Sequence, residues 1–219
     1  VRFYSAYLPN LYKLIFHQSK QFMTEGLNIP QQMMRMRGRP KILLANNFEQ
    51  AIEIYDKYKN NILGIITDIS FNCNGVFDKN AGLKLTEKIK SENPFVPILI
   101  QSSETENRGK AEALNAGFID KNSTSISNEL NEFVNRYFAF GEFVFFDPVK
   151  KIEIARASNL KQLQECVMTI SDESLQYHIS GNNFSKWLYA RAIFPIAEIF
   201  KTLSQNDFDR VIVGNYTKE

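Results

Sequence analysis

The sequence predicts an α/β fold with a doubly wound parallel sheet, followed by a smaller, mainly helical segment. Apolar runs of strand length alternate with helical patterns through the first 140 residues, as is typical of a parallel sheet. Two of these runs, Ile62–Thr67 and Val96–Ile100, are apolar almost throughout, as expected for strands covered on both faces. Beyond residue 140 the strand patterns shorten and helical spacing becomes dominant.

The first expected element is a long helix from Phe3 to about Leu27. Pro9 has no amide proton, so it should lie in the first turn or kink the helix. Apolar residues at helical spacing define its buried face: Phe3, Tyr7, Leu11, Leu14 and Ile15. A short basic run follows, which we interpret as a solvated connection: Arg35, Arg37, Arg39 and Lys41.

The next two strands bring the chain to its first strand-end carboxylate. A strand is expected at Lys41–Ala45, followed by Asn46 or Asn47 as the N-cap of a helix. The run Ile62–Thr67 predicts a central strand that ends at Asp68. Turn-forming residues fill the stretch 69–80, which is therefore expected to be a loop.

The remaining elements of the predicted sheet follow the same alternation. A helix from Ala81 to Ile89 precedes a strand near 96–101 that leads into Ser102. The next helix should stop at Gly117, because glycine suits a left-handed cap. A short strand near 117–120 then ends at Lys121. The last helix of this part carries one apolar face: Ile126, Leu130, Phe133, Val134 and Tyr137.

The pattern changes near residue 141, which predicts a domain of residues 1–140 and a mainly helical segment of residues 141–219. Two short strands are expected at Glu142–Phe146 and Lys151–Ile154. Helices should follow, with Ser158 and Ser171 as candidate N-caps. The chain starts without methionine and ends just after the strand-like 211–213, so we expect a fragment of a longer protein.

Composition indicates a globular protein of the cytoplasm. The chain has 219 residues, of which 44% are hydrophobic and 23% charged, and a net charge of +2 does not indicate nucleic-acid binding. Apolar stretches are shorter than the roughly 20 residues that cross a bilayer, so no membrane partner is expected. The two cysteines show neither disulfide nor metal-site spacing, which favours a reducing compartment.

Three polar residues end three predicted strands: Asp68, Ser102 and Lys121. Because parallel strands end at one edge of their sheet, these side chains can meet although they are distant in sequence. A carboxylate can attack a phosphoryl group, a lysine can pair with the phosphoryl oxygens, and a hydroxyl can hydrogen-bond them. Such a site also requires a divalent cation, usually Mg²⁺. Cys73 has no activating neighbour in the sequence, and we treat it as incidental.

Four segments resemble the successive motifs of response-regulator receiver domains, in the same order: Ile65–Ile69, Ala81–Leu85, Pro97–Ser103 and Ala116–Lys121. The resemblance covers about residues 1–140 and implies a flavodoxin-like fold. It implies that Asp68 is the phospho-acceptor, that Ser102 is the switch hydroxyl and that Lys121 is the lysine that pairs with the phosphoryl oxygens. It also makes Phe118 an aromatic switch that changes rotamer, and Asp68 with the Ser70 carbonyl ligands of Mg²⁺.

The sequence departs from the receiver pattern in three places. The first strand, which carries an acidic pair in the family, is missing from this chain, so Mg²⁺ binding is expected to be weak or absent. The loop after Asp68 is longer than usual. Asn122 stands where a proline commonly follows the lysine.

The segment 141–210 resembles the linker that follows a receiver in bacterial multidomain proteins related to phosphoenolpyruvate synthase. This resemblance rests on Ser174–His178 and Asn182–Arg191; family members often carry a second histidine where Asn183 stands. Glycine-rich nucleotide-binding elements are absent from these residues, so catalysis by the parent enzyme is not expected here. His178 has no second ligand at metal-site spacing, and we interpret it as a hydrogen-bonded structural residue. Trp187 is expected to lie in a helical core.

The resemblances imply a phosphorelay receiver module that takes a phosphoryl group on Asp68 and regulates a larger phosphoenolpyruvate synthase-like protein. The expected partners are a histidine kinase or phosphotransfer protein and downstream domains of the same polypeptide, with a homodimer as a further option. One alternative is a degenerate receiver that acts as an interaction or dimerisation module. Another is a non-catalytic part of a phosphoenolpyruvate- or pyruvate-utilising enzyme. The flanking sequence would separate these three functions.

Overall fold

The computed structural model describes residues 2–21, 33, 38 and 40–202. Residues divide into two units, Lys41–Phe133 and a second unit that combines Val1–Pro40 with Val134–Glu219. The predicted domain boundary at residue 141 stays a prediction, since the division into units falls seven residues earlier, at Val134. Several sequence-based expectations lie outside the described residues: the end of the first helix at 22–27, the basic residues 35, 37 and 39, and the strand-like 211–213.

The unit Lys41–Phe133 is an α/β arrangement around a parallel sheet. Its elements in chain order are α2 (Phe48–Tyr58), β1 (Ile65–Asp68), β2 (Phe71–Cys73), β3 (Val76–Asp78), α3 (Ala81–Glu92), β4 (Ile98–Ser102), α4 (Asn107–Ala113), β5 (Gly117–Asp120) and the first part of α5 (Ile126–Tyr137). The sheet has three strands in the order β1-β4-β5, and both pairings are parallel. The strands predicted near 62–67, 96–101 and 117–120 are thus confirmed.

Helices cover both faces of this sheet. All five residues of the central strand β4 are buried, as its apolar sequence predicts. Ile98 and Ile100 of β4 belong to one core cluster with Tyr55 of α2 and Leu85 of α3. On the opposite face, the ring of Phe133 in α5 lies against Gly117, where a β-carbon would come within 2.2 Å of the ring. The apolar contacts therefore hold the sheet between two layers of helix.

The strand expected at Lys41–Ala45 is wrong, because residues 41–45 have no regular secondary structure. Leu43 and Leu44 are 50% and 57% exposed. Just beyond this stretch, the described residues make an isolated parallel bridge between Asn47 and Asn72.

Residues 69–80, which are predicted to form a loop, contain a β-hairpin. Strands β2 and β3 pair antiparallel around Asn74 and Gly75, whose φ values are +52° and +76°. Two successive left-handed residues form the two-residue turn that suits the twist of a hairpin. The amide of Asn74 donates to the carboxylate of Glu49 in α2 at 2.6 Å, so the hairpin tip is tied to a helix.

Local capping follows the sequence at some helix ends and differs at others. Asn47 caps α2 by accepting a hydrogen bond from the amide of Gln50 at 2.8 Å, as predicted. Gly117 does not act as a left-handed cap; Asn115 has the left-handed conformation, with φ of +51°, and Gly117 begins β5. The small size of Gly117 instead admits the ring of Phe133.

The second unit contains one hairpin and several helices in its described residues. Its elements are α1 (Arg2–Gln21), the end of α5, β6 (Phe143–Asp147), β7 (Ile152–Ala157), α6 (Leu160–Thr169), α7 (Asp172–Ser180), α8 (Asn183–Ala190) and α9 (Phe194–Thr202). Pro9 lies inside α1. The antiparallel pair β6 and β7 confirms the two predicted strands, and residues 156–202, the described part of the following segment, are mainly helical as predicted.

Capping in this unit again confirms one prediction and corrects another. Ser171 caps α7, as predicted. Ser158 is not the N-cap of α6, since Asn159 accepts the capping bond from the amide of Gln162. Ser158 instead donates to the side chain of Gln162, one residue before the cap. Both residues can accept from an amide, so the sequence alone did not separate them.

Aromatic side chains form the core of the second unit, and Trp187 is buried among them, as predicted. The indole nitrogen of Trp187 donates to the carbonyl of Gly141 at 3.1 Å. The buried guanidinium of Arg191 lies 3.6 Å over the Trp187 ring and donates to the carbonyls of Ala139 and Gly141 at 2.9 and 2.6 Å. A single side chain thus fixes the segment after α5 to the end of α8. Within the described ranges, none of the helices combines the length and apolar character that a bilayer crossing requires.

Candidate functional site

The carboxyl edge of the parallel sheet brings Asp68 and Lys121 together. The Lys121 ammonium lies 2.5 Å from one carboxylate oxygen of Asp68, across 53 residues of sequence. The other carboxylate oxygen accepts a hydrogen bond from the amide of Ile69 at 2.8 Å. Both side chains are partly buried, so the ion pair is shielded from solvent more than a surface pair is. The predicted proximity of these two residues is confirmed.

Sheet register explains why the two side chains meet. Asp68 pairs with Gln101 in β4, and Gln101 pairs with Ile119 in β5. Paired residues of neighbouring strands share a face, and residues two apart in one strand share it too. Lys121 follows Ile119 by two residues, so it lies on the same face as Asp68. Its amide donates to the carbonyl of Ser102 at 2.9 Å, which continues the β5 register past the end of the strand.

Ser102 ends β4 at the same edge, but its hydroxyl is engaged with α4 rather than with Asp68. The hydroxyl oxygen accepts hydrogen bonds from the amide of Glu104 at 3.0 Å and from the side chain of Asn107 at 3.1 Å. Ser102 is paired with Asp120 and therefore belongs to the face opposite Asp68 along the strand, so the predicted meeting of three side chains is seen for Asp68 and Lys121 but not for Ser102. The hydroxyl still has its own proton to donate, because both observed bonds use its lone pairs.

Phe118 is buried on the face to which Ser102 belongs. It packs in the same core cluster as Ala111 and Ala116. The guanidinium of Arg108, in the first turn of α4, lies 4.9 Å from the centre of the Phe118 ring. A cation over an aromatic face is attractive, so Arg108 stabilises the buried position of the ring. The structure shows one position of Phe118, and the expected rotamer change stays a prediction.

A polar cluster beyond β5 lies near Arg108. The hydroxyls of Ser123 and Ser125 donate to the carboxylate of Glu129 at 2.5 and 2.7 Å. The hydrogen bond from Ser123 is the main cause that holds the pKa of Glu129 below its usual value. The hydrogen bond from Ser125 and the positive charge of Arg108 lower this pKa further. Asn122 adds a link between strand ends, because its side-chain amide donates to the carbonyl of Ser103 at 3.1 Å.

The oxygen donors near Asp68 do not by themselves make a Mg²⁺ site. Asp68 offers one carboxylate, which is already paired with an ammonium group, and Ser70 offers one main-chain carbonyl. The Ser70 hydroxyl donates to the carbonyl of Lys79 at 3.1 Å. Across the described residues there is no cluster of three or more acidic, histidine or cysteine side chains that could hold a metal ion. Mg²⁺ prefers six oxygen ligands, which is more than these two residues offer.

His178 in the second unit is a buried, hydrogen-bonded residue, as the sequence indicated. Its Nε2 accepts from the amide of Phe146 at 2.9 Å, and its Nδ1 lies 2.9 Å from the side-chain amide of Asn183. An Nε2 that accepts is unprotonated, so the neutral ring carries its proton on Nδ1, the nitrogen that faces the Asn183 side chain. Burial lowers the pKa of His178 to about 4. The ring is therefore neutral near pH 7 and has no exposed nitrogen for phosphorylation.

Three residues near the candidate site were not selected from the sequence: Gln101, Asn107 and Arg108. The sequence does point to Gln101, because it is a polar residue that directly follows the apolar residues Ile98–Ile100 within a predicted buried strand. No sequence pattern points to Asn107 or Arg108, since their contacts with Ser102 and Phe118 arise only when α4 folds onto the sheet.

Searches with this sequence and structure find no matching family model, no similar curated protein and no similar solved structure. The functional inference therefore depends on the side chains at the carboxyl edge of the sheet and on the motifs that lead to them.

Proposed function

We propose that this chain is a phosphorelay receiver module with a flavodoxin-like fold, which accepts a phosphoryl group on Asp68. The observation that supports it most is the ion pair between Asp68 and Lys121 at the carboxyl edge of a parallel sheet. A histidine kinase or a phosphotransfer protein would supply the phosphoryl group. The module would regulate a larger, cytoplasmic phosphoenolpyruvate synthase-like protein through its downstream domains, or through a homodimer.

The residues support a defined transfer. An oxygen of the Asp68 carboxylate forms a bond to phosphorus, and the bond between phosphorus and its donor breaks, so the leaving group takes the electron pair. Lys121 is within ion-pair distance of the carboxylate and can move to the phosphoryl oxygens. Ser102 has a proton to donate to a phosphoryl oxygen once its surroundings shift. Phe118 lies on the same face as Ser102, so a shift of one can reach the other.

The open side of β1 supports the same proposal. In the described part of the chain, β1 pairs on one side only, with β4. The flavodoxin-like strand order places a first strand between β1 and the position expected for residues 41–45. The resemblance to receivers puts an acidic pair at the end of that strand, next to Asp68, where it would provide the missing oxygen ligands.

One observation favours the alternative of a degenerate receiver. The carboxylate of Asp68 is paired with the ammonium of Lys121, and the described residues contain no cluster of three or more acidic, histidine or cysteine side chains for a cation. A module of this kind would keep the fold as an interaction surface without taking a phosphoryl group. The two functions differ in a single measurable property, the covalent labelling of Asp68.

The test uses the full-length protein, incubated with acetyl phosphate and Mg²⁺ and analysed by intact mass. We expect one phosphoryl group on the wild type, none on Asp68→Asn, and slower labelling of Lys121→Ala and Ser102→Ala. Asp120→Asn is the matched control, because Asp120 is another carboxylate at the end of a strand of the same sheet; it should label normally. An unlabelled wild type, or equal labelling of Asp68→Asn, would overturn the proposal in favour of the interaction module.

A further inference from the structure

A buried side-chain amide without a hydrogen-bond partner lies in the strand next to Asp68. Gln101 is 1% exposed. Its amide nitrogen, Nε2, is inaccessible to solvent and has no hydrogen-bond partner among the described residues. A buried donor without an acceptor opposes folding, so such groups are rare and call for an explanation. An apolar residue of similar size would fill the same position of β4 without this cost.

Register places this amide beside the candidate acceptor. Gln101 and Asp68 are direct partners in the parallel ladder, so their side chains leave the sheet on the same face. The amide of Ile69 donates to the carbonyl of Gln101 at 3.2 Å, which ties the two main chains together at this point. Neighbouring strands are about 4.8 Å apart, a separation that a glutamine side chain can span to reach a carboxylate on the next strand.

The hydrogen bonds of Asp68 change when it is phosphorylated. In the structure one oxygen accepts from Ile69 and the other from Lys121. In the acyl phosphate one oxygen is bonded to phosphorus, and Lys121 is drawn to the phosphoryl oxygens, which carry the negative charge. The carboxyl group of Asp68 then loses its lysine partner, while an unused amide donor lies on the neighbouring strand.

We propose that Gln101 is a positioning residue whose Nε2 group donates a hydrogen bond to the Asp68 carboxyl group in the phosphorylated state. In the resting state this donor has no partner, so it is available when the acyl phosphate forms. The inference rests on the proposed function of Asp68. Gln101 forms and breaks no covalent bond. It acts by stabilising the product relative to the resting protein, since only an interaction present in one of two states changes their balance.

Gln101→Met in the full-length protein tests the inference, because methionine keeps the approximate size and removes the donor. We expect its Tm before phosphorylation to equal or exceed that of the wild type. The half-life of the acyl phosphate should fall about tenfold, the effect of losing one hydrogen bond. The acetyl phosphate concentration that gives half-maximal labelling at steady state should rise by the same factor, because faster loss of the phosphoryl group must be balanced by faster addition. Gln101→Leu is a second apolar variant, which guards against a packing defect particular to methionine.

Thr86→Val is the control, since Thr86 is a buried polar residue whose hydroxyl does have a partner, the carbonyl of Gly82 at 2.7 Å. It should lower the Tm and leave the acyl-phosphate half-life unchanged. If the wild type is labelled and both Gln101 variants retain its half-life, the inference fails and the receiver function stands. A lower Tm in both Gln101 variants would show a partner in the resting state and also overturn it. An unlabelled wild type overturns the receiver function and this inference together.

Discussion

A β-carbon placed on Gly82 would lie 2.1 Å from the main-chain oxygen of Asp68. The amide of Gly82 also donates to the carbonyl of Ile69 at 2.9 Å. The first turn of α3 therefore rests directly on the main chain that carries the candidate acceptor. Any side chain at position 82 must push the helix away from Asp68, because a main-chain oxygen cannot rotate aside as a side chain can.

We expect Gly82→Ala to destabilise the protein by about 1–3 kcal/mol, the usual cost of overpacking. Gly109→Ala is the matched control in α4, where a β-carbon would meet nothing within 4 Å. Alanine is the better helix former, so the control should gain up to about 1 kcal/mol. Urea unfolding measures both, and equal stability of the two variants would contradict the close contact seen at Gly82.

Arg191→Lys should destabilise the second unit by about 2 kcal/mol, since lysine cannot replace the planar guanidinium that binds several carbonyls and stacks on Trp187. Trp187 is the single tryptophan of the sequence, so its fluorescence follows the unfolding of this unit. Arg156→Lys is the control, because Arg156 is 56% exposed and its ion pairs are on the surface. The control should change stability by less than about 0.5 kcal/mol.

Stability of the second unit should fall in mild acid because of His178. The folded pKa, about 4, is below the unfolded value of 6.5, so between these pH values the unfolded chain binds more protons than the folded one. This contribution is complete above pH 6.5 and is lost as the pH falls toward 4. The shift corresponds to about 3 kcal/mol. Tryptophan fluorescence in urea at several pH values from 7 to 4 measures it.

His178→Gln provides the control for this pH dependence. Glutamine can accept the bond from the amide of Phe146 but does not titrate. The variant should be less stable at pH 7 and should show a flatter decline between pH 6.5 and 4. A decline as steep as that of the wild type would assign the effect to other groups.

The 219-residue chain should bind Mg²⁺ only weakly. Asp68 and the Ser70 carbonyl supply two kinds of oxygen donor, and Lys121 competes for the carboxylate. Calorimetric titration should show no saturation at low millimolar Mg²⁺, with wild type and Asp68→Asn alike. A tight isotherm that Asp68→Asn abolishes would show that the described residues form a better site than their donors indicate.

The sequence was a good guide wherever a local pattern determined the structure. The apolar runs of β1, β4 and β5 predicted their strands, and the common edge of parallel strands predicted the meeting of Asp68 and Lys121. Residues 41–45 have the same apolar character but no strand partner, and strand formation depends on that partner rather than on local composition.

Other features depend on contacts between distant residues. The Ser102 hydroxyl accepts a hydrogen bond from Asn107, and the Phe118 ring lies beneath the guanidinium of Arg108. No local sequence pattern reveals either contact. The hairpin after Asp68 was accessible from the sequence, because Asn74-Gly75 is a strong hairpin-turn signal. The many turn-forming residues of this stretch predict a loop, and strands of only three residues each are too short to show a pattern of their own.

Among the residues that the structure describes, β1 pairs on one side only, and this should give its amides two different rates of hydrogen exchange. Ile65 and Ile69 donate to carbonyls of the strand-β4 side, at Pro97 and Gln101. Alternation along a parallel strand turns the amide of Ile66 to the opposite side. Deuterium should therefore enter at Ile66 long before it enters at Ile65. A strand that completes the sheet, from whatever source, would slow Ile66 selectively, so the exchange rate of this one amide reports whether the sheet is complete.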